Sequence, residues 1–389
     1  MSQSPGPGSQ VSGAITPGVP RPRVVLLYGG RSSEHSISCI SAGSVLGAID
    51  PARWDVLSVG IAPDGRWLLT GSTPDELRVV DETLPSVSDG RSVVLQPRGD
   101  AVHLLAVEDL AGGDLAVEDL GSIDVVFPLL HGPWGEDGAI QGLLESVGAA
   151  YVGSGVLASA VAMDKAAMKS ALSSHGIPIG AYEVVHDGEW RLGRDRVLSR
   201  IGFALTLPVF VKPARAGSSM GVAKVKQWSE LAAAIDAARE HDPKVVVEQA
   251  IEGAEIECGV IGGGRDQRAS ASVCAEIALV GDREFYDFEA KYLTDAAVLT
   301  VPAELPAATA HRVSDLAVRA FEALECEGLA RVDFFVAADG SILVNEVNTM
   351  PGFTPSSMFP RMWLASGVGY GDLIDQLLVL ALQRDRGLR

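Results

Sequence analysis

A strand–turn–strand pattern near the C-terminus constrains the fold of this chain more than any other feature. Residues 330–357 read ARVDFFVAADGSILVNEVNTMPGFTPSS. The pair Asp339-Gly340 separates two apolar runs rich in β-forming residues, which is a strong signal for a β-hairpin. Both runs also carry carboxylate or amide groups, which a strand buried in an apolar core should not carry. These polar side chains need an explanation that a simple core hairpin does not provide.

The polar side chains of the two predicted strands are expected to converge. Alternate residues of a strand share a face, so Arg331 lies with Asp333, and Glu346 lies with Asn348. Two carboxylates and an amide oxygen make a hard, all-oxygen site. Such a site suits Mg²⁺, which is usually held by one or two carboxylates and completed by substrate phosphates. A solvated hairpin face with ordinary acidic residues explains the same stretch when it is considered alone.

Length and composition indicate a folded protein with two or three domains. The 389 residues are too many for one ordinary core, and 47% apolar with 21% charged residues is typical of folded soluble proteins. The 31 basic and 50 acidic residues give a formal net charge of −19. This acidity argues against nucleic acid or an anionic membrane as the main partner, although a local basic cleft can still bind a small anion.

The N-terminal segment and the cysteines predict a cytoplasmic location. Residues 1–22 are rich in Ser, Gly and Pro, so we expect a disordered tail; they lack the basic start and apolar core of a signal peptide. The longest uncharged stretch, 147–163, is too short and too weakly apolar to favour a membrane span. The four cysteines are widely spaced, as expected of buried thiols in a reducing compartment.

Strand and helix patterns divide the chain into three α/β domains. Residues 23–153 open with the apolar strand RVVLLY, a glycine turn and a helix, the start of a parallel α/β domain. Residues 154–250 form a second α/β module, and residues 251–389, which include the hairpin, form the third domain. The sequence LAVEDL occurs at 105 and again at 115, and we expect this local duplication to lie in an exposed excursion without an assigned function.

A lysine and a loop of small residues in the second domain suit a phosphate. Lys212 ends the predicted strand PVFVKP, and the loop 217–221 offers backbone N–H groups that can wrap phosphate oxygens. The loop lacks the Gly-Lys-Ser/Thr of a Walker sequence, and a flexible surface turn is the alternative. Lys165 opens a predicted helix, where a positive charge is unfavourable with the helix dipole; an anionic partner or simple solvation explains it.

Two other segments carry candidate binding groups. Glu248 and Glu255 bracket a bend between two predicted strands, and Glu248 could accept hydrogen bonds from an adenine amine or from ribose hydroxyls. Solvated acids at strand ends are the simpler explanation. The segment 285–295, FYDFEAKYLTD, is dense in aromatic and charged residues, including Lys291 and Tyr292. It is a candidate for a lid that closes over a reaction, with a well-packed loop as the alternative.

The loop after the first predicted strand, GGRSSEHSIS, carries a candidate acidic ligand. Its glycines resemble the start of a dinucleotide fingerprint, but the full G-x-G-x-x-G is absent, so the signal for NAD is poor. Glu34 lies just past the strand end, where α/β folds bind ligands. A carboxylate at this position can hold an ammonium group.

Together these residues resemble the D-alanine–D-alanine ligases of the ATP-grasp superfamily. The resemblance runs from about Arg23 to the C-terminus, and its most specific parts, in the family's order, are HGPWGEDGAIQG, VKPARAGSSMGV, YDFEAKY and NEVNTMPGFTPSS. It implies a three-domain ATP-grasp fold with an N-terminal parallel α/β domain and with ATP between the second and third domains. It also implies ATP-dependent ligation of two D-alanines through an acyl phosphate for peptidoglycan precursors, by a cytoplasmic homodimer.

The resemblance implies roles for individual residues. The residues that match ATP contacts are Lys165, Lys212, Ser218, Ser219, Glu248, Ile251, Glu255 and Lys291. Those that match the ligands of two Mg²⁺ (or Mn²⁺) ions are Asp333, Glu346 and Asn348. Those that match contacts to the two D-alanines are Glu34, His131 and Ser357, and the oxyanion stabilisers are Arg331 and the backbone at Gly352. A hydrogen-bonded latch around the first D-alanine is expected from Glu34, Ser218 and Tyr292.

Other functions remain open from the residues. An ATP-grasp ligase that makes D-Ala-D-lactate or D-Ala-D-serine uses the same groups; Tyr292 after Lys291 argues against lactate, and D-serine is less easily excluded. A nicotinamide oxidoreductase using the Gly29-Gly30 turn predicts NAD binding without ATP use. A catalytically silent nucleotide-binding module predicts ATP binding without phosphate release.

Overall fold

Three β-sheets organise the part of the chain that the computed structural model describes, residues 20–109, 114–264, 267–279 and 297–384. The strands are β1 (Arg23–Gly29), β2 (Asp55–Ile61), β3 (Trp67–Leu69), β4 (Arg91–Arg98), β5 (Ala101–Asp109), β6 (Leu115–Ile123), β7 (Val125–Pro128), β8 (Tyr182–Val185), β9 (Val209–Pro213), β10 (Ala223–Val225), β11 (Val245–Gln249), β12 (Ala254–Ile261), β13 (Ser270–Leu279), β14 (Ala297–Thr300), β15 (Leu329–Val336) and β16 (Ile342–Asn348). The helices are α1 (His35–Ala48), α2 (Ala139–Ser146), α3 (Val156–Met163), α4 (Lys165–Ser174), α5 (Asp187–Ala204), α6 (Leu231–Arg239), α7 (Ala307–Ala323), α8 (Met358–Ala365) and α9 (Tyr370–Gln383).

The first sheet has the strand order β6-β5-β4-β3-β2-β1-β7. β1 pairs in parallel with β2 and with β7, in agreement with the strand–turn–helix pattern. Its residues are buried almost throughout, as expected for a parallel strand covered on both faces. The remaining pairs are antiparallel, so the parallel part is a three-stranded core extended by a meander. At the carboxyl end of β1 the chain turns into α1, with Glu34 at the N-cap position.

The duplicated sequence LAVEDL forms an antiparallel strand pair. Residues 105–109 of the first copy lie in β5 and the second copy lies in β6, with Val107 opposite Val117. In the first copy Leu105 is 5% exposed, because β5 is an inner strand whose neighbours pack into the sheet core. In the second copy Leu115 is 61% exposed, because β6 is the edge strand. The expectation of an exposed excursion therefore holds for the second copy, whereas in the first copy Leu105 and Ala106 are buried and Glu108 and Asp109 are exposed.

The other two sheets are antiparallel. The second has the order β10-β9-β11-β8 and packs against α5 and α6. The third has the order β14-β13-β12-β15-β16, and α3, α4 and α7 share its apolar core. The hairpin predicted from Asp339-Gly340 is confirmed as β15–β16 at one edge of the third sheet. This edge carries Arg331, Asp333, Glu346 and Asn348.

The C-terminal helices α8 and α9 join the third sheet to the first. One apolar core contains residues of β1, α1 and β7 together with residues of α8 and α9. Phe127 of β7 contacts Phe353, with ring centroids 5.6 Å apart in an edge-to-face arrangement. Trp54 donates its indole N–H to Asp375 of α9 at 2.6 Å. The segment between β16 and α8 therefore runs along the boundary between the first and third sheets.

Across the described ranges, no single helix has both the length and the apolar character needed to cross a membrane. Only α8 and α9 taken together reach those limits, and a bend of 103° separates them.

Candidate active site

A cavity of about 500 Å³ is lined by residues from all three sheets and their loops. Most of the residues singled out from the sequence line it: Glu34, His131, Lys165, Lys212, Ser218, Ser219, Glu248, Ile251, Glu255, Arg331, Asp333, Glu346, Asn348 and Gly352. Ser357 does not line it, although its Oγ would lie 3.1 Å from a Cβ placed on Gly352. Lys291 and Tyr292 lie outside the described residues.

A second cavity, of about 670 Å³, is larger but carries none of the predicted site residues. It is lined by glycine-rich backbone and by Tyr151, Glu327 and Arg384. We therefore identify the candidate site from the convergence of charged groups rather than from cavity size.

The hairpin brings its polar residues together by strand register. Asp333 pairs with Glu346, and Arg331 pairs with Asn348, across β15 and β16. Arg331 binds Asp333 through two parallel N–H···O bonds of 2.7 Å each, and Asn348 donates its amide to the same carboxylate at 3.0 Å. Glu257 of β12 lies opposite Asp333 and approaches the Arg331 guanidinium at 3.2 Å. The guanidinium is thus fixed in place between two carboxylates.

The oxygen donors on this hairpin fit a magnesium ion that is completed by substrate. Among the described residues, no group of three or more His, Cys, Asp or Glu side chains is placed to hold a metal by itself. The candidate donors are the carboxylates of Asp333 and Glu346 and the amide oxygen of Asn348. The Lys165 ammonium group lies 3.3 Å from the Glu346 carboxylate. Mg²⁺ prefers such oxygen ligands and is commonly shared with substrate phosphates.

A buried cluster of charges lines the same cavity. Glu248 of β11 contacts Lys212 of β9 at 2.7 Å and Lys169 of α4 at 3.2 Å. Burial opposes the charge on Glu248, but the two ammonium groups outweigh it and lower the pKa of Glu248 to about 2. The carboxylate is therefore ionised at neutral pH. Lys165, one helical turn before Lys169, donates to the carbonyl of Ala216 at 2.9 Å.

The structure adds functional candidates that the sequence reasoning missed. Lys169 is 2% exposed, and its spacing of four from Lys165 placed both on one helix face. Glu257 follows Glu255 by two residues in a strand, so both share a face. Glu136 lies within HGPWGEDGAIQG and lines the cavity; burial, together with Glu34 and Glu346, raises its pKa to about 8. The spacings of Lys165 with Lys169 and of Glu255 with Glu257 can be read from the sequence. The sequence does not indicate which face of the helix or strand lines the cavity.

Replacing Lys169 with methionine is expected to destabilise the fold, because Glu248 loses one of its two buried cationic partners. Methionine keeps the approximate shape of the lysine side chain, so the effect reports the lost charge. A charged hydrogen bond contributes about 1.5–3 kcal/mol, so a loss of this order in the free energy of unfolding is expected. Urea denaturation measures it, with the exposed Lys226→Met as the matched control. Equal stability of the two variants would show that the Lys169–Glu248 pair contributes nothing.

Glu34 links the first sheet to the glycine–serine loop of the second. It is 8% exposed and accepts a hydrogen bond from Ser218 Oγ at 2.5 Å. Gly132 approaches it so closely that an added Cβ would lie 2.5 Å from the carboxylate. Ser218 and Ser219 have φ of 49° and 58°, a left-handed conformation that is uncommon outside glycine and concentrates at ligand sites.

Solved structures similar to this chain include two ligases. The D-alanine-D-alanine ligase from Coxiella burnetii matches with a TM-score of 0.76 and 32% identity over 94% of each chain. The VanG D-Ala:D-Ser ligase from Enterococcus faecalis matches with a TM-score of 0.76 and 32% identity, over 93% of this chain and 100% of that one. The fold and the charged cavity between its sheets therefore define an ATP-grasp ligase.

Sequence comparisons identify the family. The model described as D-ala D-ala ligase N-terminus matches residues 23–154, and the model described as D-ala D-ala ligase C-terminus matches residues 171–379. The chain is 52% identical to the D-alanine–D-alanine ligase of Paenarthrobacter aurescens (strain TC1), over 96% of this chain and 98% of that protein. It is 53% identical to that of Frankia casuarinae, over 95% and 98%. The chain belongs to the D-alanine–D-alanine ligase family, which confirms the resemblance and rules out the oxidoreductase alternative.

Proposed function

We propose that this enzyme joins two D-alanine molecules into D-alanyl-D-alanine, with ATP as co-substrate and an acyl phosphate as intermediate, to supply peptidoglycan precursors. One observation carries the proposal. The carboxylate of Glu34, the lysines around Glu248 and the oxygen donors of the hairpin face a single cavity of about 500 Å³. An ammonium-binding group, a phosphate-binding group and a metal-binding group are what this reaction requires in one place.

The nucleotide part of the proposal rests on the second sheet and the strands next to it. Phe210, Ile251 and Phe334 give the cavity an apolar part that suits a purine ring. Lys212 and Lys165 suit the phosphates, and Glu248 and Glu255 suit the hydrogen-bond donors of adenine and ribose. Because Lys169 also contacts Glu248, the carboxylate keeps one cation when Lys212 turns towards a phosphate.

The part of the proposal that concerns the first D-alanine rests on Glu34. Glu34 is a buried carboxylate that can hold the ammonium group of the first D-alanine. The carboxylate group of that first D-alanine then accepts the γ-phosphoryl group of ATP, and ADP leaves; the acyl phosphate formed is a good acyl donor, whereas the carboxylate was a poor one. Magnesium, held by Asp333, Glu346 and Asn348, would offset the charge of the phosphates.

Dipeptide formation is the second half of the reaction. The amine of the second D-alanine attacks the acyl carbon, and phosphate leaves. Arg331, held rigidly by Asp333 and Glu257, and the backbone N–H of Gly352 are assigned to the oxyanion of the tetrahedral intermediate. Excluding water protects the acyl phosphate from hydrolysis.

Removing the Ser218 hydroxyl is expected to loosen the contact between the first and second sheets at the first D-alanine. A hydrogen bond to a carboxylate is worth about 1.5–3 kcal/mol, so Ser218→Ala should slow dipeptide formation by about tenfold or more. More acyl phosphate should then be lost to water. The ratio of phosphate released to dipeptide formed measures this loss, with the exposed Ser174→Ala as control. An unchanged ratio contradicts the latch. The participation of Tyr292 stays a prediction.

Phosphate release from ATP tests the proposed function. We expect release with D-alanine and none above background with L-alanine. When D-lactate competes with D-alanine as the second substrate, we expect little D-alanyl-D-lactate among the products. D-Serine is included because a D-Ala:D-Ser ligase is among the similar structures. A preference for D-serine over D-alanine as acceptor would replace the proposed function with that alternative. ATP binding without release under any condition would identify a silent nucleotide-binding module.

The remaining parts of the proposal rest on the family resemblance. These parts are a cytoplasmic location, a homodimeric state, and Mg²⁺ or Mn²⁺ as the cation. Sedimentation of the purified protein and activity in the presence of a chelator test the last two.

A further inference from the structure

Two side chains of one loop bind the main chain of a single residue across the boundary between the first and third sheets. Glu136 accepts the backbone N–H of Met350 at 3.3 Å, and the Nδ1 atom of His131 lies 3.1 Å from the carbonyl oxygen of Met350. We call His131, Glu136 and the main chain of Met350 the Met350 clasp. Both polar groups of one peptide residue are thus held by the segment that follows β7.

The hydrogen-bond partners of His131 determine its tautomer. A carbonyl oxygen only accepts, so Nδ1 carries the proton. Nε2 lies 3.2 Å from the hydroxyl of Ser41 and accepts from it. Both side chains are buried, and burial lowers the pKa of His131, which is consistent with a neutral ring. Because Ser41 belongs to α1, which packs against the first sheet, this hydrogen bond fixes the His131 side of the clasp to that sheet and helix.

The Glu136 side of the clasp is anchored in the same way. Its other carboxylate oxygen accepts the N–H of Gly132 at 2.7 Å. Gln141 donates to the carbonyl of Gly135 at 2.8 Å, which fixes the loop from the side of α2. Glu136 therefore joins the peptide of Met350 to a loop that is itself hydrogen-bonded to α2.

Met350 lies between two residues to which the proposed function gives roles. Asn348, a proposed magnesium ligand, ends β16 two residues before it, and Gly352, whose N–H is assigned to the oxyanion, follows two residues after it. Met350 itself is 6% exposed and packs in the core shared by the first sheet and α8. A shift of this peptide would displace both neighbours at once.

We propose that His131 and Glu136 are positioning residues that set the geometry of the reacting centre through the peptide of Met350, in addition to any contact of His131 with substrate. This inference rests on the proposed function. It predicts that loosening the clasp affects the chemical step more than the binding of ATP. A displacement of about 1 Å at a reacting centre costs on the order of 100-fold in rate.

The test compares Glu136→Ala with Asp137→Ala. Asp137 is the next residue and accepts the N–H groups of Trp134 and Ala139 at 2.8 and 3.0 Å, but it does not line the cavity. Its loss loosens the same loop without touching Met350. We expect Glu136→Ala to reduce kcat by about 10- to 100-fold with KM for ATP nearly unchanged. Asp137→Ala should keep nearly wild-type kcat.

A second readout does not depend on activity. With [15N]methionine, the Met350 amide is assigned by its loss in Met350→Leu, and its hydrogen exchange is measured. We expect faster exchange and a shifted resonance in Glu136→Ala and neither change in Asp137→Ala. If Glu136→Ala does not fold, Glu136→Met, which keeps the length of the side chain and removes both acceptor oxygens, replaces it.

The outcomes separate the two claims. An unchanged Met350 amide in the Glu136 variant overturns the clasp, whatever the activity. A changed amide with wild-type kcat, or with a raised KM alone, overturns the positioning role. Wild-type protein that forms no dipeptide overturns the proposed function, and the amide still decides whether the contact exists.

Discussion

Replacing Glu346 with glutamine is expected to reduce kcat by about 100-fold or more, with partial recovery at high Mg²⁺ or with Mn²⁺. The substitution keeps the shape of the side chain and removes one negative charge from the donor set on the hairpin. Glu346 pairs with Asp333 in register and lies 3.3 Å from Lys165, so the lost charge is at the centre of the site. Weaker cation binding then limits phosphoryl transfer.

The measurement for Glu346→Gln is kcat as a function of Mg²⁺ concentration. Asp339→Asn is the matched control, because it removes a carboxylate from the turn of the same hairpin, outside the cavity. Wild-type activity of Glu346→Gln at low Mg²⁺ would remove Glu346 from the metal site. A loss that no divalent cation alters would instead assign its effect to the contact with Lys165.

Replacing Lys212 with methionine is expected to weaken ATP binding by about 10- to 100-fold, the value of one charged hydrogen bond, and to lower turnover as well. The ammonium group lies 2.7 Å from Glu248 and beside the glycine–serine loop. The fold is expected to persist, because Lys169 still neutralises Glu248, although the free energy of unfolding should fall by an amount similar to that expected for Lys169→Met. Equilibrium binding of ATP measures the effect, with Lys226→Met as control. Unchanged affinity and turnover would leave Lys212 with a structural role only.

The local part of the site was predictable from sequence. The period of two along each strand and the Asp-Gly turn were enough to place Asp333 and Glu346 on facing strands, and the structure has them in register. The same reasoning placed Lys212 at the end of a strand. These predictions succeed because they depend on residues close together in the chain.

The long-range part of the site was not predictable. Glu257 comes to Asp333 only through the register of β12 with β15, which no local pattern specifies. Lys169 joins Glu248 because α4, which packs mainly in the core of the third sheet, also contacts Val246 of the second sheet through Ala166. Leu105 and Ala106 are buried because β6 lies beyond β5 and makes β5 an inner strand. The sequence of the first LAVEDL copy alone does not indicate this position. Ser357, five residues beyond Gly352, was placed by resemblance and lies beside the cavity instead of lining it.

Domain boundaries illustrate the same limit. The boundary at residue 154 followed the pattern of strands and helices along the chain, yet α3 and α4, which come after it, pack into the core of the third sheet. The boundary at 251 separates the strands β11 and β12, which belong to different sheets. α3 and α4 precede the second sheet in the chain but pack with the third sheet, so the domain limits remain a proposal.

The central claim is that ATP activates the carboxylate of D-alanine as an acyl phosphate in this cavity. The most direct measurement uses D-alanine labelled with 18O in both carboxylate oxygens and follows the label by mass spectrometry. Our account predicts that each phosphate released with a dipeptide carries one 18O atom, because the bridging oxygen leaves with phosphorus. Unlabelled phosphate, formed together with dipeptide, would contradict it.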